Sequence, residues 1–144
     1  AVCSPAYAKK YYAEYALDDS LTSFRVDKPE IFVIHRLIQD SHRYWDMWLK
    51  DMKLQKALRT LIFNQTSLSI DAAISGQGLT LIPGILVRDH LNRGELISLW
   101  EYAAPDDQGY YLAHQTQDKP LEASVIEVRH WLREALIDSL GKPA

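Results

Sequence analysis

Cysteine is nearly absent from this chain. Cys3 stands alone, so neither an intrachain disulfide nor a multi-cysteine metal site can form. That usage fits a reducing compartment, the cytoplasm. Glycine and proline are scarce, six of each in 144 residues, too few for a linker or a low-complexity chain. No apolar run approaches the ~18 consecutive residues of a membrane span, so no membrane partner is expected. An excess of basic charge is also lacking: 16 Lys and Arg stand against 19 Asp and Glu, a net charge of -3. Phosphate contacts supply most of the affinity of nucleic-acid binders, so these residues are not expected to grip DNA themselves. The chain does not begin with Met, and its start lacks the basic and apolar regions of a signal peptide. It reads as a processed or excised piece.

What is there is a globular composition, 47% hydrophobic and 24% charged, at a length that suggests one domain with a real core. Ser4-Pro5 opens a helix as N-cap and first helical residue, and Tyr7, Tyr11 and Tyr15 share its face until it fades near Asp18. Ile31-Phe32-Val33-Ile34 reads as a strand buried on both sides. Asp40-Ser41 can cap a helix over 42–53, with Trp45, Trp48, Leu49 and Met52 as its apolar stripe and Asp46/Lys50 paired opposite. A strand over 58–63 leads through Asn64-Gln65-Thr66-Ser67 into a short Ala-rich helix ending at Gly76. A strand over 79–82 stops at Pro83, a helix over 85–93 ends at Gly94, and strands over 96–100 and 110–113 flank a loop over 104–109. The last helix carries Val125, Val128, Leu132 and Ala135 on one face. Strands alternate with helices, which argues for an α/β fold with a mostly parallel sheet flanked by helices.

Most candidate chemistry has a structural explanation. Gly76-Gln77-Gly78 closes a helix and opens a strand, the reverse of a dinucleotide loop, and reads as a helix C-cap with a tight turn. Glu127 and His130 share a helix turn, but no second pair stands at ligand spacing, so no metal or cofactor is expected. Cys3 precedes a helix N-terminus, which could lower its pKa, yet no base lies nearby in sequence. The Trp45/Trp48 stripe reads first as core. The turn Asn64-Gln65-Thr66-Ser67 differs: it lies at the carboxyl end of an expected parallel strand and at a helix N-terminus, where ligands of open α/β sheets bind. Unpaired amides and the helix dipole favour an anion there, and Thr and Ser hydroxyls can serve a carboxylate or an ammonium group. Ordinary N-capping by the same residues is the competing explanation.

The order of these motifs resembles the effector-binding domain of LysR-type transcriptional regulators. The residues that carry the resemblance are Val2-Cys3-Ser4-Pro5-Ala6-Tyr7, Phe63-Asn64-Gln65-Thr66-Ser67-Leu68, Asp71-Ala72-Ala73-Ile74-Ser75-Gly76-Gln77-Gly78-Leu79, Leu81-Ile82-Pro83, Gly94, Tyr110-Tyr111-Leu112 and Arg129-His130-Trp131-Leu132. Ser41-His42-Arg43-Tyr44-Trp45 with Trp48 is similar to the branch containing the glycine-cleavage activator and the β-lactamase-inducing regulator. The resemblance implies a type 2 periplasmic-binding-protein-like lobe. Residues 1–114 would form the second lobe with its return crossing strand, and 115–144 a connection and helix that pack on a first lobe not contained here. It also implies a non-enzymatic, cytoplasmic sensor that binds a small carboxylate-bearing effector, such as an amino acid or a peptide-like acid, between lobes. DNA would be met only through a separate N-terminal domain, and the protein would be a homo-oligomer. The effector-binding residues so implied are Gln65, Thr66, Ser67, Tyr110 and His35, with His35 and Arg36 ending a strand that faces the same cleft. Two other readings remain: a solute-binding module of a transport system, and a small α/β enzyme using Cys3 or a histidine.

Overall fold

The computed structural model describes residues 1–21, 23–55, 59–102, 111–113 and 122–140, without the side chains of 138–140. The chain divides into two compact units, Ala1–Tyr102 and Ala103–Ala144, the first ending ahead of the 1–114 boundary read from sequence.

The first unit is built on five strands: β1 (Val2–Cys3), β2 (Arg36–Gln39), β3 (Arg59–Ile62), β4 (Leu79–Thr80) and β5 (Ile97–Ser98). Their order is β3-β2-β4-β1-β5. β2 runs parallel to both β3 and β4, while β1 is antiparallel to β4 and β5. The sheet is therefore mixed, with its parallel part at one side. Helices α1 (Pro5–Tyr11), α2 (Tyr44–Asp51), α3 (Thr66–Ile74) and α4 (Gly84–Asn92) cover it.

Side-chain alternation along the strands makes two cores. On one face Cys3, Leu37 and Leu79 meet Tyr7, Tyr12, Phe32, Trp45, Trp48 and Leu49. On the other Val2 and Ile38 meet Ile70, Ala73, Val87 and Leu96. Trp45 and Trp48 are fully buried and pack edge to face, with centroids 5.4 Å apart. The Trp45 indole N–H donates to the Leu79 carbonyl at 3.2 Å and ties α2 to β4. The aromatic stripe is core, as its spacing suggests, although Met52 lies outside the helix and is exposed.

Two local readings are corrected. Residues expected as a strand at Ile31-Phe32-Val33-Ile34 form a 3-10 helix, Pro29–Ile34. Pro29 pre-sets a helical φ and Glu30 favours the positive end of the helix dipole, so the apolar run turns instead of extending. The strand comes after it, and polar Arg36 and Gln39 at its ends hide the two core residues between them. α1 ends at Tyr11, and Tyr15 sits in a separate 3-10 turn, Ala13–Tyr15. The N-cap Ser4 is as expected and accepts from the Tyr7 amide at 3.3 Å. Among residues 110–113, Tyr110 lies outside the described residues and the other three form no strand. The 104–109 loop also lies outside them.

The second unit contains α5 (Ala123–Leu140). On it Val125, Ile126, Val128, Trp131 and Ile137 are exposed.

The turn between α3 and β4 depends on glycine twice. Gly76 has φ +73°, and a Cβ on Gly78 would lie 2.3 Å from the Arg36 carbonyl oxygen. That oxygen belongs to the paired backbone of β2 and cannot withdraw cheaply. Gly78→Ala should lower the unfolding free energy by about 2 kcal/mol or more. Gly84→Ala, with open space around it, should be neutral or slightly stabilising. Urea denaturation of the two variants checks the contrast.

Candidate functional site

The parallel pairing of β2 with β3 carries both strands to one end of the sheet. Gln39 stands opposite Ile62, and the Phe63 amide donates to the Gln39 carbonyl at 2.9 Å. Beyond that bond the two chains emerge side by side as Asp40-Ser41-His42 and Asn64-Gln65-Thr66. This is the carboxyl edge of parallel strands where α/β proteins place ligands.

Asp40 organises the corner. Only 5% of its side chain is exposed. The carboxylate accepts the His42 amide at 2.9 Å and the Thr66 hydroxyl, and it lies 3.1 Å from His42 Nδ1. Burial alone would raise its pKa. The Thr66 hydroxyl, the His42 amide and the His42 ring outweigh that penalty and hold the carboxyl below its usual value. The sequence reading has Asp40 cap the helix over 42–53. It instead serves a turn and the neighbouring helix, and α2 begins after Arg43, a left-handed residue at φ 57° with no side-chain cap. Arg43 pairs with Asp46 at 2.5 Å, so Asp46 faces Arg43 instead of the expected Lys50.

α3 begins without a side-chain cap. Gln65 occupies the N-cap position in extended conformation, and no acidic residue lies in the first turn. Thr66 is the first helical residue, half-buried, and its hydroxyl proton goes to Asp40. Ser67 and Gln65 are exposed. The capping explanation for Thr66 and Ser67 therefore fails. The first-turn amides of a helix have no intrahelical partner, and here no side chain among the described residues caps them. On the same face of the helix, three residues after Thr66, the Ser69 hydroxyl is 1% exposed and has no hydrogen-bond partner among the described residues.

The remaining site residues do not converge. His35 precedes β2 at the end opposite Asp40, about 16 Å away along extended chain. His35 and Arg36 thus begin this strand instead of ending one. The His35 ring packs among Tyr7, Tyr11 and Tyr12 with centroids 6.2, 5.3 and 4.8 Å away. Burial there lowers its pKa. Tyr110 lies outside the described residues. Cys3 is fully buried in the core, and desolvation, eased only in part by the Ala8 amide, pushes its thiol up to about 12. A thiolate nucleophile is thereby disfavoured. A groove of about 500 Å³ lies elsewhere in the first unit, lined by residues including Leu17, Arg25, Ser98, Trp100 and Glu101. It shares no residue with the corner, and its chemistry is mixed.

The residue that sequence reading missed is Asp40. Its signal was present: a carboxylate directly after a strand, beside a Thr at a parallel neighbour's end. Reading it as a helix cap concealed that role.

A mixed sheet covered on both faces, with an uncapped helix start at the carboxyl edge of its parallel strands, has the architecture of a periplasmic-binding-protein-like lobe. Residues 21–137 match the LysR substrate binding domain, and the chain belongs to that family. The fold is similar to the effector domain of the transcriptional regulator AmpR of Pseudomonas aeruginosa, with TM-score 0.58 and 19% identity over 93% of this chain and 57% of that one. It is also similar to the AmpR effector binding domain from Citrobacter freundii, with TM-score 0.56 and 16% identity over 94% of this chain and 61% of that one. In sequence the chain is 26% identical over 132 residues to the glycine cleavage system transcriptional activator of Escherichia coli (strain K12), covering 86% of this chain and 43% of that protein. The chain spans less than half the length of the curated relatives it matches. No helix among the described residues is long and apolar enough to cross a membrane. The family and the fold read from the motifs are thus borne out.

The geometry makes two predictions. Because the folded-state pKa of Asp40 is depressed, its stabilisation is present above the ordinary aspartate value, ~3.9, and is lost as pH falls through the folded value. Asp40→Asn should lower stability by roughly 1–3 kcal/mol near pH 7. Its melting curve should converge on that of the wild type at the acid end; a gap independent of pH would contradict this. Cys3, for its part, should react with a thiol probe only on unfolding, and fast labelling of the native chain at pH 7 would restore the nucleophile reading.

Proposed function

We propose that the chain is the ligand-sensing part of a LysR-type DNA-binding transcriptional regulator, and that its effector is a small carboxylate-bearing metabolite held at the start of α3. The observation that carries this reading is the helix start itself: a nine-residue helix with no side-chain cap and no acidic residue in its first turn. Such an end offers free amides and a positive dipole to an anion. Ser67, exposed in that turn, adds a hydroxyl donor. Thr66 acts differently: with its proton on Asp40, it presents lone pairs only.

At the corner Gln65 and Ser67 reach solvent, and small-molecule sites are concave. A second wall is needed. The solved effector domains that the chain resembles extend beyond it, the chain covering 57% and 61% of them. That difference supports a cleft whose other wall comes from a further lobe. In this reading the protein is a cytoplasmic homo-oligomer that performs no catalysis. It meets DNA through a separate domain, which agrees with the acidic balance of these residues. Ligand acts only through its differential affinity for two lobe arrangements.

The test is a calorimetric titration of the intact regulator with amino acids and short peptides, paired with a transcription assay. Ser67→Ala removes one donor to a charged group and should weaken binding at least tenfold. Unchanged affinity together with unchanged ligand-dependent transcription would overturn the assignment.

A further inference from the structure

The corner contains a charge that a plain anion must face. Asp40 is buried, and its carboxylate touches the hydroxyl of the first residue of α3. The hydrogen bonds that depress its pKa keep it ionised at neutral pH. His42 Nδ1 lies 3.1 Å from it, on a side chain more than half exposed; Arg43 is engaged with Asp46. Thr66 Oγ1 has given its proton to Asp40 and has only lone pairs to offer. An incoming carboxylate can use the α3 amides and Ser67, but its neighbours include a fixed negative charge and, at Thr66, an oxygen that can only accept.

We infer that Asp40 determines the charge type of the effector: the site selects a zwitterion, with an ammonium group next to its carboxylate as in an α-amino acid, over an organic acid of the same skeleton. The carboxylate of such a ligand lies against the α3 amides and Ser67. Its ammonium group is turned towards Asp40 and donates to Thr66 Oγ1. The hydroxy acid keeps the first contact, loses the second, and meets Asp40 uncompensated. Within a closed cleft of low effective dielectric, such a difference amounts to one or two orders of magnitude in affinity. This inference rests on the effector site proposed above and adds Asp40 to it.

The experiment uses the intact regulator at pH 8. A panel of α-amino acids is titrated calorimetrically, each paired with the α-hydroxy acid of the same carbon skeleton. The wild type should bind at least one amino acid at least tenfold more tightly than its hydroxy partner. Asp40→Asn keeps the shape and an acceptor oxygen for the His42 amide; it should bring that ratio close to one. Ser67→Ala should weaken both partners by a similar factor and leave the ratio intact. Thr66→Val, which leaves Asp40 charged but removes the acceptor between it and the ligand, should reduce the ratio only in part and serves if Asp40→Asn does not fold. A wild type that binds the hydroxy acid as well as the amino acid overturns the inference, as does an Asp40→Asn variant with an unchanged ratio or a panel without any binder. If binding responds to Ser67→Ala but the ratio ignores Asp40, the effector site stands and the role of Asp40 falls. If binding responds to neither residue, both fall.

Discussion

A buried carboxylate cannot be left alone. Taking Asp40 out of water costs several kcal/mol unless donors surround it. Two of those donors come from different parts of the chain: the His42 amide just after β2, and the Thr66 hydroxyl at the head of α3. Satisfying one charge therefore fixes the exit of β2, the delayed start of α2 and the seat of α3. The parallel ladder brings the strand ends together, and Asp40 then sets the course of the chain beyond each of them. The same demand bears on the bare helix starts: Asp40 is committed elsewhere, the cap position of α2 falls on Arg43, and that of α3 falls on Gln65, whose side chain makes no cap bond.

The arrangement separates support from exposure. Below the corner lie two cores, with Leu37 and Ile38 of one strand buried in opposite faces. Above it, Gln65 and Ser67 reach solvent. Groups that must hold position sit on packed elements, and groups that would meet a ligand project from them. His35 takes no part in this corner because a strand has two ends. It is half-buried at the amino end of β2, packed against the rings of Tyr7, Tyr11 and Tyr12. Burial there disfavours its protonated form.

The legibility of these features in the sequence tracks their physics. Caps and stops that act within a few residues were readable: Ser4-Pro5 opening α1, Gly76 and Gly94 ending helices at positive φ. So was the i, i+3, i+4 stripe of Trp45, Trp48 and Leu49, because burial obeys helical periodicity. β2 was not, since its apolar content is the pair Leu37-Ile38 and the longer apolar run before it becomes a 3-10 helix. Four apolar residues satisfy either period, and only Pro29 breaks the tie. Register was out of reach as well. That β1 runs antiparallel between β4 and β5 depends on contacts between residues nearly a hundred positions apart. At the site, Thr66 and Ser67 were legible because a helix start after a strand is a local event. Asp40 was not, because its partner lies 26 residues away and a cap was the nearer explanation.

A unit packed on both faces of its sheet changes shape reluctantly, since close-packed interiors switch between discrete arrangements and do not deform continuously. The strands here are two to four residues long, and the corner is bound into them by the Gln39–Phe63 bond and by Asp40. A ligand at α3 would therefore gain little by distorting the corner and much by bringing a second wall against it. Closure would desolvate the ligand's charges and strengthen each contact, including the one with Asp40. The same closure penalises a ligand that leaves that carboxylate uncompensated. If the chain works as proposed, selection among ligands and response to them are one free-energy difference: a molecule that cannot satisfy Asp40 would fail to hold two lobes together and would carry no signal, even where it binds the corner weakly.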